Sequence, residues 1–326
     1  MKKVLCVLIS MLLAIGMFAC GESTDELTTI NVSEVTHSIF YAPQYVAMEL
    51  GYFEEYGIKV ELTNAGGADK VMAALLSGDC QIGLAGPEQT IYLYNAGQQD
   101  YVVNFAQLTQ CDGSFLIARE PDENFTIEKL RGSHIIGGRV GGMPVMVLEY
   151  ILRKNGITPN VDCIVDTSVA FNAMSGAFIG GTGDYVSLFE PNATTLEKAE
   201  QGYVVMSLGT ESGSIPYTVY QAQKSYMQAN PEIIEGFTKA IQKGLDYVWS
   251  HSAEETAQVI APHFTDTSVD DMVKVINRYK EICAFAEDTL LKKDGFELLQ
   301  DIMQQSGQLD TRTDYSVLVD TTYANH

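Results

Sequence analysis

One stretch, residues 36–63, constrains the fold of this chain more than any other, because it reads as strand, loop, helix, tight turn and strand. Pro43 stands where a proline suits the first helical turn, since its missing N–H would be unpaired there in any case. Gly51 marks the end of that helix, as a left-handed glycine often does. Residues 58–63 then alternate apolar and polar side chains, the period of a half-buried strand. Because ligands bind outside the carboxyl ends of strands in open α/β sheets, residues 37–45 are the first candidate wall of a binding site.

The same alternation of strands and helices continues through about the first 220 residues, after which the chain reads as helical. Alternating βα units predict parallel sheets, so the fold class is α/β. Two such runs and a helical C-terminal part predict two lobes, with residues 30–115 and 219–326 in lobe 1 and residues 116–218 in lobe 2. The chain would cross between the lobes near residues 110–118 and 213–221. Among the predicted helices are residues 169–178, 192–201 and 269–285.

The first twenty residues have the pattern of an export leader. Lys2 and Lys3 precede residues 4–18, an uncharged apolar run that is short for a membrane span and suits a secretory signal. The run ends at Met17-Phe18-Ala19-Cys20-Gly21, which resembles a bacterial lipobox, although its leucine and small residue are replaced by Met17 and Phe18. The alternative is an ordinary signal peptide with a chance cysteine. We predict a signal peptide over residues 1–19, lipidation of Cys20, a tether over residues 20–29 and an extracytoplasmic protein anchored to the bacterial cell membrane.

Charge and cysteine content exclude several classes of partner. The chain has 20 lysines and arginines against 42 aspartates and glutamates, a net charge of −22, which disfavours nucleic acid and anionic lipid surfaces as electrostatic partners. Beyond the leader, Cys80, Cys111, Cys163 and Cys283 are far apart and lack metal-ligand spacing. An exported protein can hold one or two disulfides, but we favour four small buried thiols. We predict neither a metal nor a cofactor.

Three loops rich in glycine and proline each follow a predicted strand and precede a predicted helix. They are residues 66–69, 85–88 and 138–144. Free backbone N–H groups and the helix dipole suit polar or anionic ligand atoms at such places. None of the loops matches a nucleotide-binding signature. Their shared position predicts one binding site, with candidate contacts at Gly67, Gly86, Gly141 and Gly142.

Four charged or polar side chains near these loops admit two interpretations each. Arg139 suits a ligand carboxylate, sulfonate or phosphate, or else pairs with a surface carboxylate. Glu88 and Glu190 each flank a proline at a predicted helix start, where they interact with the helix dipole or accept hydrogen bonds from ligand N–H groups. We favour the ligand role for Glu190 and leave Glu88 open. His37 is a possible donor at the cleft, although a histidine at a strand end is more often structural.

Several aromatic residues lie beside predicted strand ends. Aromatic side chains usually belong to the core, but a group of them near one cleft suits a flat ring. The candidates are Phe40, Tyr41, Tyr45, Phe189 and Tyr217.

Four blocks of sequence resemble the SsuA/ThiY-like substrate-binding lipoproteins of ABC importers. They are YAPQYVAMELGYFEEYGIKVEL, GGADKVMAALLSGDCQIGLAGPE, IIGGRVGGMPVMVLEYIL and LFEP, within a resemblance that runs from about residue 29 to residue 304. This resemblance implies a type II periplasmic-binding-protein fold, with two α/β lobes joined by a two-segment hinge that closes on a small-molecule ligand. It also implies a monomer that works with permease and ATPase subunits. By resemblance the contacts fall on residues 37–41, 66–67, 86–88, 138–143 and 189–190.

The ligand class stays open between two alternatives at this point. The aromatic candidates and Glu190 favour a heteroaromatic solute similar to a thiamine pyrimidine precursor. Arg139 and the helix N-termini favour a small anion such as an alkanesulfonate, taurine or nitrate. A competing class is an enzyme, since a related fungal branch makes the thiamine pyrimidine with a cysteine-rich motif and pyridoxal phosphate. This chain has no adjacent cysteines and no G-x-S-x-G or H-E-x-x-H motif, so we predict a binding protein, whose role is import or, as a third possibility, sensing.

Overall fold

Ten strands define the architecture of residues 27–324, the part of the chain that the computed structural model describes. Two five-stranded sheets result, one in the order β2-β1-β3-β10-β4 and one in the order β7-β6-β8-β5-β9. We call the sheets, with the helices that cover them, the first and the second lobe. The strands are β1 (Thr28–Glu34), β2 (Ile58–Asn64), β3 (Ile82–Ala85), β4 (Val102–Thr109), β5 (Ser114–Ala118), β6 (His134–Ile136), β7 (Ile164–Asp166), β8 (Tyr185–Phe189), β9 (Tyr203–Ser207) and β10 (Thr218–Gln223).

Helices connect the strands and form most of the chain after β10. They are α1 (Ala42–Glu49), α2 (Ala68–Ser77), α3 (Glu88–Asn95), α4 (Met143–Lys154), α5 (Met174–Ile179), α6 (Asn192–Lys198), α7 (Leu208–Ser212), α8 (Lys224–Ala229), α9 (Pro231–Ser250), α10 (Ala253–Ile260), α11 (Val269–Glu281), α12 (Lys293–Gln305) and α13 (Tyr315–Leu318). Within residues 27–324, none of these helices has both the length and the apolar character needed to cross a membrane. The predicted signal peptide and Cys20 lie outside the described residues.

The loop, helix, turn and second strand predicted within residues 36–63 form as predicted, whereas the first strand ends earlier than predicted, at Glu34 rather than near His37. β1 pairs in parallel with β2, and α1 lies between them with Pro43 in its first turn. Gly51 adopts a left-handed φ of 70° just after the helix, which favours glycine there. The long helix α9 packs against α1 so closely that a Cβ at Gly244 would lie 2.1 Å from the carbonyl oxygen of Pro43. Glycine at this position therefore lets the two helix backbones meet.

The prediction of parallel sheets was wrong for two strands. β1 is parallel to β2 and β3, and β6 is parallel to β7 and β8. In contrast, β10 is antiparallel to β3 and β4, and β5 is antiparallel to β8 and β9. Parallel neighbours are produced by crossover connections that reverse the chain. β5 and β10 each enter their sheet directly from the other lobe, without such a crossover, and both sheets are therefore mixed.

Three predicted helices were too long. The helix predicted over residues 269–285 ends at Glu281, because Phe285 forms an antiparallel bridge with Thr109 at the end of β4. Cys283 has a φ of 52° between the two, which turns the chain out of the helix. Residues 169–178 form a short 3-10 turn followed by α5, and the helix predicted over residues 192–201 ends at Lys198. The apolar periodicity of the sequence extends beyond the limits that these helices have in the structure, so the predicted helices were too long.

Two connections join the lobes, residues 110–113 between β4 and β5 and residues 208–217 between β9 and β10. They touch at Gly209, where a Cβ would lie 2.2 Å from the backbone oxygen of Asp112 and 2.7 Å from the sulfur of Cys111. The absence of a side chain at Gly209 lets the connections pass side by side. Any change in the angle between the lobes has to act at this crossing.

Candidate binding site

Three rings from different parts of the chain meet between the lobes, and we call them the aromatic cluster. Phe40 follows β1, Phe189 ends β8, and Tyr217 is the last residue of the second connection. The ring centroids are 5.8 Å apart for Phe40 and Phe189, 5.9 Å for Phe40 and Tyr217, and 6.1 Å for Phe189 and Tyr217. These distances are typical of aromatic pairs. Each lobe and one connection therefore contribute a ring to one apolar surface.

Asp112 brings a buried carboxyl group to the crossing of the connections. Its Oδ1 accepts hydrogen bonds from the backbone N of Ser114 at 2.7 Å and from the Ser114 hydroxyl at 2.5 Å. Its Oδ2 faces the Tyr217 hydroxyl, which acts on the carboxyl group as a hydrogen-bond donor although the contact lies outside ordinary hydrogen-bond geometry. Burial raises the pKa of Asp112 to about 7, although the hydrogen bonds from Ser114 and Tyr217 act in the opposite direction. A donor on a solute would therefore share this oxygen with the Tyr217 hydroxyl or replace it.

Glu88 supplies a second buried carboxyl group, in the first turn of α3. Its Oε1 accepts a hydrogen bond from Nε2 of Gln89 at 3.0 Å, and its Oε2 lacks a partner within the described part of the chain. Burial raises the pKa of Glu88 to about 7, against the effect of Gln89. The carboxyl group folds back over Gly86, where a Cβ would lie 2.0 Å from Oε2. Only glycine at position 86 leaves room for this arrangement.

Tyr217 connects the aromatic cluster with both carboxyl groups. Its hydroxyl is buried and faces Asp112, which acts on it as a hydrogen-bond acceptor, but the contact lies outside ordinary hydrogen-bond geometry. Burial raises the pKa of Tyr217 well above its usual value, and the charges of Asp112 and Glu88 raise it further. Burial and the charges of Glu34 and Glu88 also raise the pKa of Tyr41. Leaving a buried polar atom unpaired costs about 1–3 kcal/mol, so this group of atoms is suited to a ligand that supplies the missing bonds.

Glu190 is also buried, but protein groups occupy its carboxylate. Oε2 accepts a hydrogen bond from the backbone N of Thr194 at 2.8 Å, and Oε1 accepts one from the Thr194 hydroxyl at 3.0 Å. Nη1 of Arg278 donates to Oε1 at 2.5 Å, and Nη2 of Arg278 donates to Glu197 at 2.8 Å. The predicted candidate Glu190 therefore ties α6 of the second lobe to α11.

His37 and Tyr45 lie together around Glu34, at the end of β1. The Tyr45 hydroxyl donates to Oε2 of Glu34 at 2.7 Å, and Nδ1 of His37 lies 2.9 Å from Oε1 of the same carboxylate. The His37 ring stacks on Phe264 with centroids 4.6 Å apart. The hydrogen bond with Glu34 raises the pKa of His37, against the effect of burial. Both side chains thus have protein partners outside the aromatic cluster.

Arg139 and the glycine-rich loop lie where the two lobes touch. Nη1 of Arg139 is 3.4 Å from Oδ1 of Asp69, and both side chains are more than half exposed. A Cβ at Gly67 would lie 3.4 Å from the same nitrogen of Arg139. The carbonyl oxygen of Gly141 accepts a hydrogen bond from the Tyr92 hydroxyl at 3.1 Å, and Gly142 precedes α4 directly. These contacts join α2 and α3 of the first lobe to the loop of the second.

Asp112 was missed in the sequence analysis, although the sequence carries a signal for it. It is the one charged residue between Tyr101 and Ala118, a run that otherwise reads as two apolar strands. Buried carboxyl groups are rare without a partner or a function. A lone charge at the point where the chain passes between two predicted strands therefore indicates a functional side chain.

The chain matches a family model over residues 39–255, and that family is described as NMT1/THI5 like. It is 44% identical over 315 residues to “Putative binding protein YtlA” of Bacillus subtilis (strain 168), with 97% of this chain and 94% of that protein covered. The chain belongs to the NMT1/THI5-like family. It is also 24% identical to the 4-amino-5-hydroxymethyl-2-methylpyrimidine phosphate synthase of Aspergillus parasiticus, over 71% of this chain and 69% of that enzyme.

Among solved structures, the alkanesulfonate-binding protein SsuA from Xanthomonas axonopodis pv. citri, bound to MOPS, is similar with a TM-score of 0.73 and 14% identity. The likeness covers 91% of this chain and 99% of that one. It confirms the predicted fold of two α/β lobes. The 44% identical relative confirms the prediction of a binding protein rather than an enzyme.

Proposed function

We propose that this chain is the extracytoplasmic solute-binding component of an ABC importer, and that its solute is a small heteroaromatic molecule with amino groups. A thiamine pyrimidine precursor is the model for this class. The observation that carries the proposal is the pair of buried carboxyl groups, Asp112 and Glu88. Oε2 of Glu88 has no hydrogen-bond partner among the described residues, and Oδ2 of Asp112 has only the poorly aligned Tyr217 hydroxyl beside it there. Both carboxyl groups lie near Tyr217, which belongs to the aromatic cluster.

An aminopyrimidine matches this combination of groups. Its flat ring suits the apolar surface made by Phe40, Phe189 and Tyr217. Its exocyclic amino group and a protonated ring nitrogen are donors that fit Oδ2 of Asp112 and Oε2 of Glu88. Hydrogen bonds to charged groups contribute about 1.5–3 kcal/mol each. In this proposal Glu190 supports the site by holding α6, and the side chains in contact with solute are those of the aromatic cluster with Asp112 and Glu88.

A small anion is the second candidate solute. It is favoured by Arg139 and by the glycine-rich loop that opens α4, since N–H groups at a helix N-terminus attract negative charge. Two observations disfavour it. Arg139 is exposed and already paired with Asp69. Oδ2 of Asp112 and Oε2 of Glu88 would repel an anion placed beside them whenever the carboxyl groups are ionised.

Import requires partners, and we propose permease and ATPase subunits, with the protein a monomer attached to the membrane through a lipid on Cys20. Solute would favour the arrangement in which the lobes touch at Gly141 and Tyr92 and at Arg139 and Asp69. The measured affinity then includes the equilibrium between open and closed forms. Neighbouring genes for a permease and an ATPase would support import, whereas their absence would favour the sensing role.

A thermal-shift screen of the protein from Ser23 onward tests the proposed solute class. A solute that binds only the native state raises the unfolding midpoint. We expect aminopyrimidines to raise it, and alkanesulfonates, taurine and nitrate to leave it unchanged. Asp112→Asn and Glu88→Gln should each weaken aminopyrimidine binding by about tenfold or more, from the loss of a charged acceptor. Glu61→Gln is the matched control, since Glu61 is exposed and its ion-pair partner among residues 27–324 is the exposed Lys59.

The opposite pattern would refute the heteroaromatic assignment. It consists of a midpoint shift with alkanesulfonates or nitrate alone, which Arg139→Ala removes and Asp112→Asn leaves intact. The importer proposal has a separate test, because it does not depend on the solute. Deletion of the gene should abolish uptake of the solute that binds, and uptake that continues unchanged would contradict it.

A further inference from the structure

The segment after α11 pairs with the end of β4 at the crossing of the connections. Phe285 and Thr109 form an antiparallel bridge. The backbone N of Gln110 donates to the carbonyl oxygen of Ala284 at 2.9 Å, whereas the backbone N of Ala284 donates to the carbonyl oxygen of Tyr279 at 2.8 Å, so the pairing ends at this point. Cys111 and Cys283 lie one residue further from the bridge on the two segments, where Cys283 has a φ of 52°.

Contacts of the side chains bring the two cysteines close together. The sulfur of Cys111 lies 3.6 Å from the carbonyl oxygen of Ile282, which belongs to the peptide group that leads into Cys283. Nε2 of Gln110 donates to the carbonyl oxygen of Cys283 at 3.1 Å. Burial raises the pKa of the Cys111 thiol, and the charges of Asp112 and Cys283 raise it further. The two cysteines are therefore close neighbours although 172 positions separate them (283 − 111).

We propose that Cys111 and Cys283 form a disulfide bond in the exported protein. Both are free thiols in the reduced structure, Cys111 buried and Cys283 exposed. Disulfides require Cα atoms about 4.4–6.8 Å apart, and the 3.6 Å contact between the Cys111 sulfur and the peptide group that precedes Cys283 is compatible with such a separation. Extracytoplasmic compartments are oxidising enough to maintain such bonds. This proposal concerns the covalent structure of the chain and does not depend on which solute it binds.

The oxidant is a disulfide outside the chain, either a small-molecule disulfide or the active-site disulfide of a thiol oxidoreductase. The exposed Cys283 thiolate attacks one sulfur of that disulfide, whose S–S bond breaks and releases one thiol. Cys111 then loses its proton and attacks the Cys283 sulfur of the mixed disulfide, which releases the second thiol. Two protein thiols are oxidised by two electrons in total, and one external disulfide is reduced to two thiols.

The other two cysteines serve as internal controls. Cys80 lies in the first lobe beside Val71 and Leu75, and Cys163 lies just before β7 in the second lobe. Among the described residues, the neighbouring groups that shift the pKa values of the Cys80 and Cys163 thiols include no other cysteine. Both are buried, so an oxidant has little access to them. The proposal therefore predicts one specific pair of cysteines and two that stay free, among the four cysteines of the described residues.

The bond would tie the first connection between the lobes to the end of α11. Cys111 contacts Gly209 in the second connection and precedes Asp112 of the candidate site. Arg278, on the last turns of α11, holds Glu190 of the second lobe. A covalent link at this point joins the first connection, which touches the second at Gly209, to the helix whose Arg278 holds Glu190 of the second lobe. We expect it to stabilise the oxidised protein against unfolding.

Peptide mapping of the full-length exported protein tests the pairing. The protein is incubated with oxidised glutathione, remaining thiols are blocked with N-ethylmaleimide, and it is digested without reduction. We expect a disulfide-linked pair of peptides containing Cys111 and Cys283, with Cys80 and Cys163 alkylated once the protein is denatured. The unfolding midpoint should rise by about 5–10 °C and fall again with dithiothreitol, because the bond closes a long loop.

Variants separate the proposed bond from other effects of oxidation. Cys283→Ser, at an exposed position, should lose both the linked peptides and the rise in midpoint. Cys111→Ala should show the same loss, whereas Cys80→Ala and Cys163→Ala should keep both. The proposal is overturned if Cys111 and Cys283 are both alkylated after oxidation, if either is found linked to Cys80 or Cys163, or if only dimers linked through Cys283 form.

Discussion

Replacing Glu88 by glutamine should change stability in a direction that depends on pH, because burial raises the pKa of Glu88 from 4.5 to about 7. In the unfolded chain this carboxyl group loses its proton near its ordinary pKa, whereas in the folded protein it keeps the proton up to about pH 7. Above about pH 4.5 the unfolded state therefore binds fewer protons than the folded state. Wild-type stability falls as the pH rises through this window and levels off above it. Glutamine has nearly the same shape and does not titrate, so the variant lacks this fall.

The magnitude follows from the two pKa values. One pKa unit corresponds to about 1.4 kcal/mol, and integration between about pH 5 and pH 8 gives a change of about 2–3 kcal/mol. The wild type should lose this much relative to Glu88→Gln over the interval. At pH 5 the two proteins should be nearly equal in stability, since a protonated carboxyl group and an amide make similar hydrogen bonds. At pH 8 the variant should be the more stable protein, although it binds aminopyrimidines more weakly.

Urea denaturation of both proteins at several pH values, without solute, measures this difference. The titration of Asp112 and of every other group is common to both chains and cancels in the difference between them. Glu61→Gln is the control for removing one negative charge, because its side chain is more than half exposed. A constant difference between wild type and Glu88→Gln from pH 5 to pH 8 would refute the reasoning, and so would a variant that is less stable at pH 8.

Two further substitutions test the neighbourhood of the site. Arg278→Met should destabilise the protein by about 3–5 kcal/mol, because it leaves the buried Glu190 carboxylate without its charged partner. Urea denaturation measures this loss of unfolding free energy, and Arg131→Met, which breaks an exposed ion pair, is the control. An equally small loss in both variants would contradict the buried pairing. Gly86→Ala should cost about 1–3 kcal/mol and weaken solute binding, since the new methyl group would lie 2.0 Å from Oε2 of Glu88. Calorimetric titration that finds unchanged affinity would show that the Glu88 carboxyl group is not held as described.

Local signals predicted the helix and second strand of residues 36–63, whereas strand direction depends on contacts distant in sequence. Pro43, Gly51 and the alternation in β2 each act within a few residues, so they can be read from the chain directly. The antiparallel direction of β5 and β10 follows from passage between lobes, which no local pattern records. The end of α11 is similar, because Phe285 leaves the helical pattern only to pair with Thr109.

In the candidate site, too, local sequence patterns predicted some features and long-range contacts decided the others. Phe40, Phe189 and Tyr217 were predicted as site residues because they lie near strand ends, and in the structure they meet in one cluster. His37 and Tyr45 were predicted for the same reason, but their side chains face Glu34, because position along a strand does not fix the direction of a side chain.

The two acidic candidates show more clearly that position in the sequence does not determine which partner a side chain has. Glu88 and Glu190 look equivalent in sequence, each beside a proline at a helix start. Arg278, 88 positions after Glu190, decides between them, since it pairs with Glu190 and leaves Glu88 as the carboxyl group with a free oxygen.

The position of the site suggests how solute binding is coupled to the hinge. Asp112 lies in the first connection and Tyr217 ends the second, so a solute that bonds to both side chains links the two segments that any lobe motion has to bend. Shifting a two-state equilibrium from 1:99 to 99:1 takes about 5.5 kcal/mol of differential binding. Hydrogen bonds to the two carboxyl groups, one to Asp112 and one to Glu88, supply about 3–6 kcal/mol in total, if both form only in the closed arrangement. A solute that reaches only one of the two carboxyl groups should therefore bind without closing the lobes fully, and small-angle scattering with aminopyrimidines that carry or lack the amino group would distinguish the two responses.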